Sequence, residues 1–76
     1  MMTYFFDRVG RSRAEYDYQG RVFQTPDKAR QMAELIALDL GIESEGTWSG
    51  WTVDVRNAQG QRFFSIPVCA PELIAA

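Results

Sequence analysis

The side chains of this 76-residue chain that could do chemistry are its carboxylates, one thiol, and a group of arginines set among tyrosines. Asp17 and Asp54 fall in segments with strand-like alternation, and paired carboxylates can share acid–base work. Both alternate with apolar neighbours, which is the pattern of a wet strand face, so both are expected to be solvated. Cys69 lies between Val68 and Ala70, with no cation beside it to favour the thiolate. It reads as a small buried or tail cysteine. There is no histidine, which removes the commonest general base and metal ligand and every histidine-dependent triad. One cysteine without histidine cannot build a Cys/His zinc site within one chain. The six glycines are scattered, and none forms a phosphate-cradling loop. No catalytic, cofactor-binding or metal-ligating residue is expected, and the chain is not read as an enzyme.

Chemistry by contact is the other possibility. Residues 1–30 hold six Lys/Arg against four Asp/Glu, whereas residues 31–76 hold two against six. Arg11 and Arg13, with Arg8 and Arg21, are interleaved with Tyr16 and Tyr18. Arginine with aromatic rings is the composition of a phosphate- or nucleic-acid-binding face. The formal net charge of −2 works against a general nucleic-acid binder, whose affinity comes from neutralising phosphates. A solubilising hairpin, partly neutralised by Asp7, Glu15 and Asp17, is the plainer reading. Trp48 is a loop aromatic, either a contact anchor or a cap on the open end of a small core, with the cap favoured.

The totals set the frame. Seventy-six residues suffice for one small domain, over 1–76 with a tail from 69 that frays or turns; such a chain buries about 60% of its unfolded surface. Hydrophobic residues make up 46% and aromatics 13%, which suits a packed core. A lone cysteine allows no internal disulfide, and no basic n-region precedes the first apolar stretch, so a cytoplasmic setting is expected. No membrane partner is expected.

Elements must hold these residues in place. Residues 4–9 read as a strand with apolar groups on both faces, hence central. Residues 10–13 read as a turn and 14–18 as a second strand, interrupted at Gly20 by a bulge or turn. Thr25 is a good N-cap, Pro26 suits the first helical position, and Asp27 suits the positive end of the dipole. Ala29, Met32, Ala33, Ile36 and Leu40 recur at helical spacing, with Leu35 and Leu38 widening the stripe. Gly41 is expected to stop this helix, over 26–40, in a left-handed conformation. Small Ala29 and Ala33 let it lie close to a sheet. Residues 42–49 read as a loop.

Trp51, Val53 and Val55 alternate with Thr52, Asp54 and Arg56, and Phe64, Ile66 and Val68 continue the pattern after a turn at 57–60. A four-residue loop sets Val53 opposite Phe64 and Trp51 opposite Ile66, which puts every apolar side chain on one face. A three-residue loop joining Asn57 to Gln61 turns Phe64 outward. The four-residue form, with a type I turn and Gly60 at positive φ, is therefore expected. Pro67 marks an edge strand. The fold class is α+β: two β-hairpins flank one helix (ββαββ), and the helix covers one face of a four-stranded antiparallel sheet.

Tyr4-Phe5-Phe6-Asp7 resembles the opening of a family of small proteins of unknown function, common in rhizobia-like alphaproteobacteria. Asp17-Tyr18-Gln19-Gly20 is similar to that family's Asp-x-x-Gly step before the helix, and residues 53–60 are similar to its second hairpin. Asn57 stands where the family often has Asp. The resemblance implies a small bacterial cytoplasmic protein and supplies no activity, cofactor or catalytic residue.

The leading functional expectation is a small protein–protein interaction or regulatory module, with a second copy through a sheet edge among its candidate partners. The alternative is weak binding of nucleic acid or a phosphorylated ligand through the arginine-rich first hairpin, nucleic acid being the less favoured partner.

Overall fold

The computed structural model describes residues 1–43 and 48–68. In chain order the elements are β1 (Met2–Val9), β2 (Ala14–Glu15), β3 (Arg21–Phe23), α1 (Pro26–Glu43), β4 (Thr52–Arg56) and β5 (Arg62–Pro67). All strand pairs are antiparallel, and the order across the sheet is β2-β1-β4-β5, with β3 also paired to β1. The α+β class and one-helix plan hold, and β1 is central as its two apolar faces imply. The sheet has five strands where four were expected, because the second strand breaks into two short pieces. Ala14 pairs with Val9 and Arg21 with Tyr4, leaving residues 16–20 out of the ladder.

The helix begins as its sequence dictates. Lys28 N donates to Thr25 Oγ1 at 3.2 Å, so Thr25 is the N-cap. Ala29, Ala33 and Ala37 are buried with Leu40 against Tyr4, Phe6, Val53 and Val55. A line of methyl groups, one per turn, brings the helix axis close to the sheet. Two expectations fail here. Leu35 and Leu38 are exposed, so they do not widen the buried stripe. Gly41 does not stop the helix, which runs on to Glu43, and the glycines at positive φ are Gly20, Gly50 and Gly60. Glycine permits a left-handed stop without enforcing one, and a helix interior tolerates it at about 1 kcal/mol. Ile42 therefore belongs to the helix. The remainder of the expected loop at 44–47, and the expected tail with Cys69, lie outside the described residues.

The second hairpin corrects the register argument. Asn57 N donates to Gln61 O at 2.9 Å and Gly60 N to Asn57 O at 3.1 Å, so the loop is the three-residue one. Asn57 selects it: its Oδ1 accepts from Gln59 N at 3.0 Å and from Gln61 N at 2.9 Å. The tight loop alone would turn Phe64 outward. A bulge between Val55 and Arg56 restores the dry face by giving β5 one extra residue. Val55 then opposes Phe64 and Val53 opposes Ile66, not the expected partners. The demand for one apolar face was read correctly, and it is met by a bulge instead of loop length. Gly60 takes φ +88°, as expected.

Of the two tryptophans, Trp48 takes the place favoured for it, whereas Trp51, expected on the core face of its strand, does not. Trp48 packs against the core cluster and caps it. Trp51 lies outside β4, edge-on to Trp48 at 4.6 Å, and its ring covers Gly10. A Cβ at Gly10 would come within 2.5 Å of that ring, so the position demands glycine. At the β5 edge, Val68 N donates to Trp51 O. Alternation then turns the backbone N of Pro67 outward, where its missing N–H blunts the edge.

Candidate interaction face: a tyrosine loop clamped by Asp17

Residues 16–20 leave the ladder where the Phe6 N–H points away from β4. Asp17 fills that gap with its side chain. Its Oδ2 accepts the Phe6 N–H at 3.1 Å, and its Oδ1 accepts those of Gln19 at 3.0 Å and Gly20 at 3.2 Å. A carboxylate thus takes over the hydrogen bonding that a strand would have supplied. Gly20 completes the turn at φ +71°, and a Cβ there would meet the Phe5 ring at 2.9 Å. This explains physically why Asp17 and Gly20 stand three apart.

The clamp is anchored on the sheet face opposite the helix. Asp17 N donates to Asp7 Oδ1 at 3.0 Å, Arg56 Nε donates to Asp7 Oδ2 at 2.6 Å, and Arg56 Nη2 donates to the Asp17 carbonyl at 3.1 Å. The Arg56 guanidinium also lies over the Phe5 ring at 4.7 Å. Asp7 is 0% exposed and its cross-strand neighbour Asp54 2%. Two carboxylates directly opposite one another would repel, and each is matched by its own arginine. Asp54 Oδ1 accepts from Thr52 Oγ1 at 2.8 Å and Ser65 Oγ at 2.7 Å, and its Oδ2 meets Arg62 Nε at 3.3 Å.

The expected solvated face for Asp17 and Asp54 is therefore overturned: Asp54 is buried and Asp17 half-buried. Alternation identified the face but not the arginine and hydroxyl partners that dry it. Sequence reasoning missed Asp7 and Arg56 as an ion pair. The available signal was a charged residue inside a strand with apolar groups on both sides. Burial draws the Asp17 pKa upward, but the N–H donors of Phe6, Gln19 and Gly20 and the charge of Arg56 outweigh it, so the carboxyl titrates below its ordinary value. A carboxylate so engaged is a poor proton carrier near neutrality.

Above the clamp, Tyr16 is exposed and Tyr18 is 88% exposed. They border a groove of about 510 Å³ between this loop and the helix, closed by Arg8, Glu15, Gln19, Arg21 and Ile36. Arg8 faces Glu15 at 3.8 Å and lies over the Trp48 ring at 5.3 Å. Arg21 reaches the Met32 sulfur at 3.5 Å.

The other sequence candidates fall elsewhere. Arg11 and Arg13 line a smaller groove of about 260 Å³ with Ser49, Gly50 and Trp51. Arg13 covers the Trp51 ring at 5.4 Å. The five residues singled out in sequence thus form two sites, with Trp48 serving the core. Among the described residues no group of His, Cys, Asp and Glu has metal-binding geometry. No described helix is long and apolar enough to cross a membrane.

Residues 3–69 match the model of a domain of unknown function, DUF6894. No curated protein and no solved structure matches the chain. With nearly its whole length matched, the chain belongs to the DUF6894 family.

Proposed function

We propose that this chain acts by contact, as a protein-binding module whose working face is the clamped tyrosine loop. The observation that carries this reading is the pairing of exposed side chains with a fixed backbone. Tyr16 and Tyr18 project from a loop held by three bonds to the Asp17 carboxylate, one from Arg56 to the Asp17 carbonyl and one from Asp17 N to the Asp7 carboxylate. Tyrosine and arginine dominate binding hot spots, and a loop already ordered loses little entropy when it docks. The engagement of Asp17 favours contact over catalysis. The lone cysteine supports a cytoplasmic setting, and the Tyr-Phe-Phe-Asp opening supports an alphaproteobacterial source.

Affinity capture with the wild-type chain and with a Tyr16→Ser/Tyr18→Ser variant tests the reading. A partner held by the wild type and lost by a folded variant supports it. An unchanged set of bound proteins overturns it.

A second reading has its own observation. Arg8 and Arg21 flank the same groove, so a phosphorylated ligand could stack on tyrosine between them. The Glu15 partner of Arg8 and the net charge of −2 place it second. It predicts salt-sensitive binding of a single-stranded oligonucleotide, weakened by Arg8→Ala/Arg21→Ala. Absence of binding at low salt excludes it.

A further inference from the structure

The smaller groove, of about 260 Å³, has the chemistry of an anion site. Arg11, Ser12 and Arg13 reach it from the turn between β1 and β2, and Ser49, Gly50 and Trp51 from the segment before β4. This lining holds two cations, two hydroxyls and no carboxylate. Arginines elsewhere are neutralised: Arg8, Arg30, Arg56 and Arg62 each meet a carboxylate, whereas Arg11 and Arg13 meet none among the described residues. Glu15, two residues beyond Arg13, faces Arg8 and borders the other groove. Two cations lining one groove without a counter-charge repel one another, and an anion bound there relieves that cost.

The frame of the groove is set without a ligand. Gly10 N donates to Arg13 O at 2.8 Å and closes one turn; Trp51 N donates to Trp48 O at 3.1 Å and closes the other. Trp51 joins the two turns, because its ring covers Gly10 and carries the Arg13 guanidinium at 5.4 Å. A guanidinium held on an aromatic ring keeps its in-plane N–H donors for oxygen. In the second turn Gly50 takes φ +85°, and the N–H groups of Ser49 and Gly50 donate to nothing among the described residues. Successive unpaired N–H groups in a turn make a concavity that suits an anion.

We infer that this groove binds the phosphate of a monoester, held by Arg11 and Arg13 with the hydroxyls of Ser12 and Ser49. A tetrahedral group carrying nearly two negative charges matches arginine forks and hydroxyl donors that converge from two turns. A nucleic-acid strand fits less well. Its bases need an open ring to stack on, and the one ring here already meets Gly10, Trp48 and Arg13. The groove shares no lining residue with the tyrosine groove, and the inference does not rest on that face. Both arginines are exposed, so salt screens them and the dissociation constant is on the order of 1 mM.

Amide NMR shifts of the isotope-labelled chain, titrated at low salt with inorganic phosphate and with a phosphoserine peptide, read the site directly. Saturable shifts centre on Arg11, Ser12, Ser49 and Gly50. Arg11→Ala/Arg13→Ala weakens binding by about tenfold or more. Arg11→Ala alone weakens it by about threefold and leaves the melting temperature unchanged, since this side chain has no partner in the fold. Arg13→Lys keeps the charge, loses the fork and also weakens binding. A peptide that binds more tightly than inorganic phosphate assigns the ester to a phosphorylated protein, and equal affinity assigns it to a small phosphorylated molecule. Shifts that chloride reproduces at equal ionic strength, or binding unchanged in Arg11→Ala/Arg13→Ala, overturn the inference. A dinucleotide phosphodiester that outbinds inorganic phosphate at this groove overturns the choice of a monoester. The Tyr16→Ser/Tyr18→Ser variant binds phosphate like the wild type, so this site and the proposed tyrosine contact face stand or fall separately.

Discussion

Replacing Asp17 with Ala removes the side chain that stands in for a strand. Three backbone N–H groups lose their acceptor. A hydrogen bond to a charged acceptor contributes about 1.5–3 kcal/mol when buried. The Gln19 bond is exposed and counts for little; the Phe6 and Gly20 bonds are part-buried and count for about 1 kcal/mol each after solvent screening. Stranding the Phe6 N–H at its place in the sheet adds about 1 kcal/mol. The expected loss is therefore about 2–3 kcal/mol, against a total stability on the order of 4–11 kcal/mol for a domain this size. Asp17→Asn keeps an oxygen for Gln19 and Gly20 but presents N–H₂ to Phe6, and should cost about half as much. Urea unfolding followed by tryptophan fluorescence measures both. Because the folded pKa of Asp17 lies below its unfolded value, its contribution is complete above about pH 3.9 and is lost as the pH falls through the lower folded value. The difference between wild type and Asp17→Ala should narrow below about pH 4. A cost under about 0.5 kcal/mol at neutral pH, within the range of an ordinary surface change, refutes the clamp. So does a Phe6 amide that exchanges equally slowly in both proteins.

Arg56→Met leaves the Asp7 carboxylate buried without its cation and should cost about 3–5 kcal/mol. Adding Asp7→Leu should recover much of that loss, as a double-mutant cycle in urea will show. Gly10→Ala drives a methyl into the Trp51 ring and should cost about 1–3 kcal/mol with altered tryptophan emission. Gly60→Ala meets open space and should cost about 1 kcal/mol, from its left-handed backbone alone. Gly41→Ala should raise stability by about 0.5–1 kcal/mol, because the residue sits within a helix; a loss in thermal melts would restore the left-handed stop.

What the sequence disclosed follows the reach of each signal. Thr25, Pro26 and the alanine spacing act within a few residues and predict the helix start and, apart from Ala37, its buried line. Pro67 and Gly60 likewise carry their own backbone rules. Gly41 only permits what Gly60 adopts, so the far end of the helix was misplaced. Leu35, Leu38 and Ile42 satisfy the same periodicity as a buried stripe, and only the sheet's position shows which side is wet. The ion pair of Asp7 with Arg56 joins residues far apart in the chain, and alternation cannot report which charge will find a partner across a sheet. The bulge at Val55 and Arg56 arises from two demands in conflict, the Asn57 turn and the dry face. Each was legible alone, and the compromise was not. Tyr16 and Tyr18 stand out in the sequence as aromatics among arginines and are exposed in the structure, while the carboxylate that fixes their loop has the sequence pattern of solvated surface.

The position of β1 between β4 and the pair β2 and β3 has a consequence for how the chain acquires its shape. Its first neighbours are made within the next two dozen residues, whereas Val9 finds Thr52 and Phe5 finds Arg56 only after the helix has been synthesised. At about 5–20 residues per second, the seam that will become the sheet's centre stays open for seconds during translation. The Asp7 carboxylate spends that interval in water, awaiting Arg56. Closing the ring of contacts by the longest loop makes this a high-contact-order step, so the centre of the sheet, not its rim, should be slow to form.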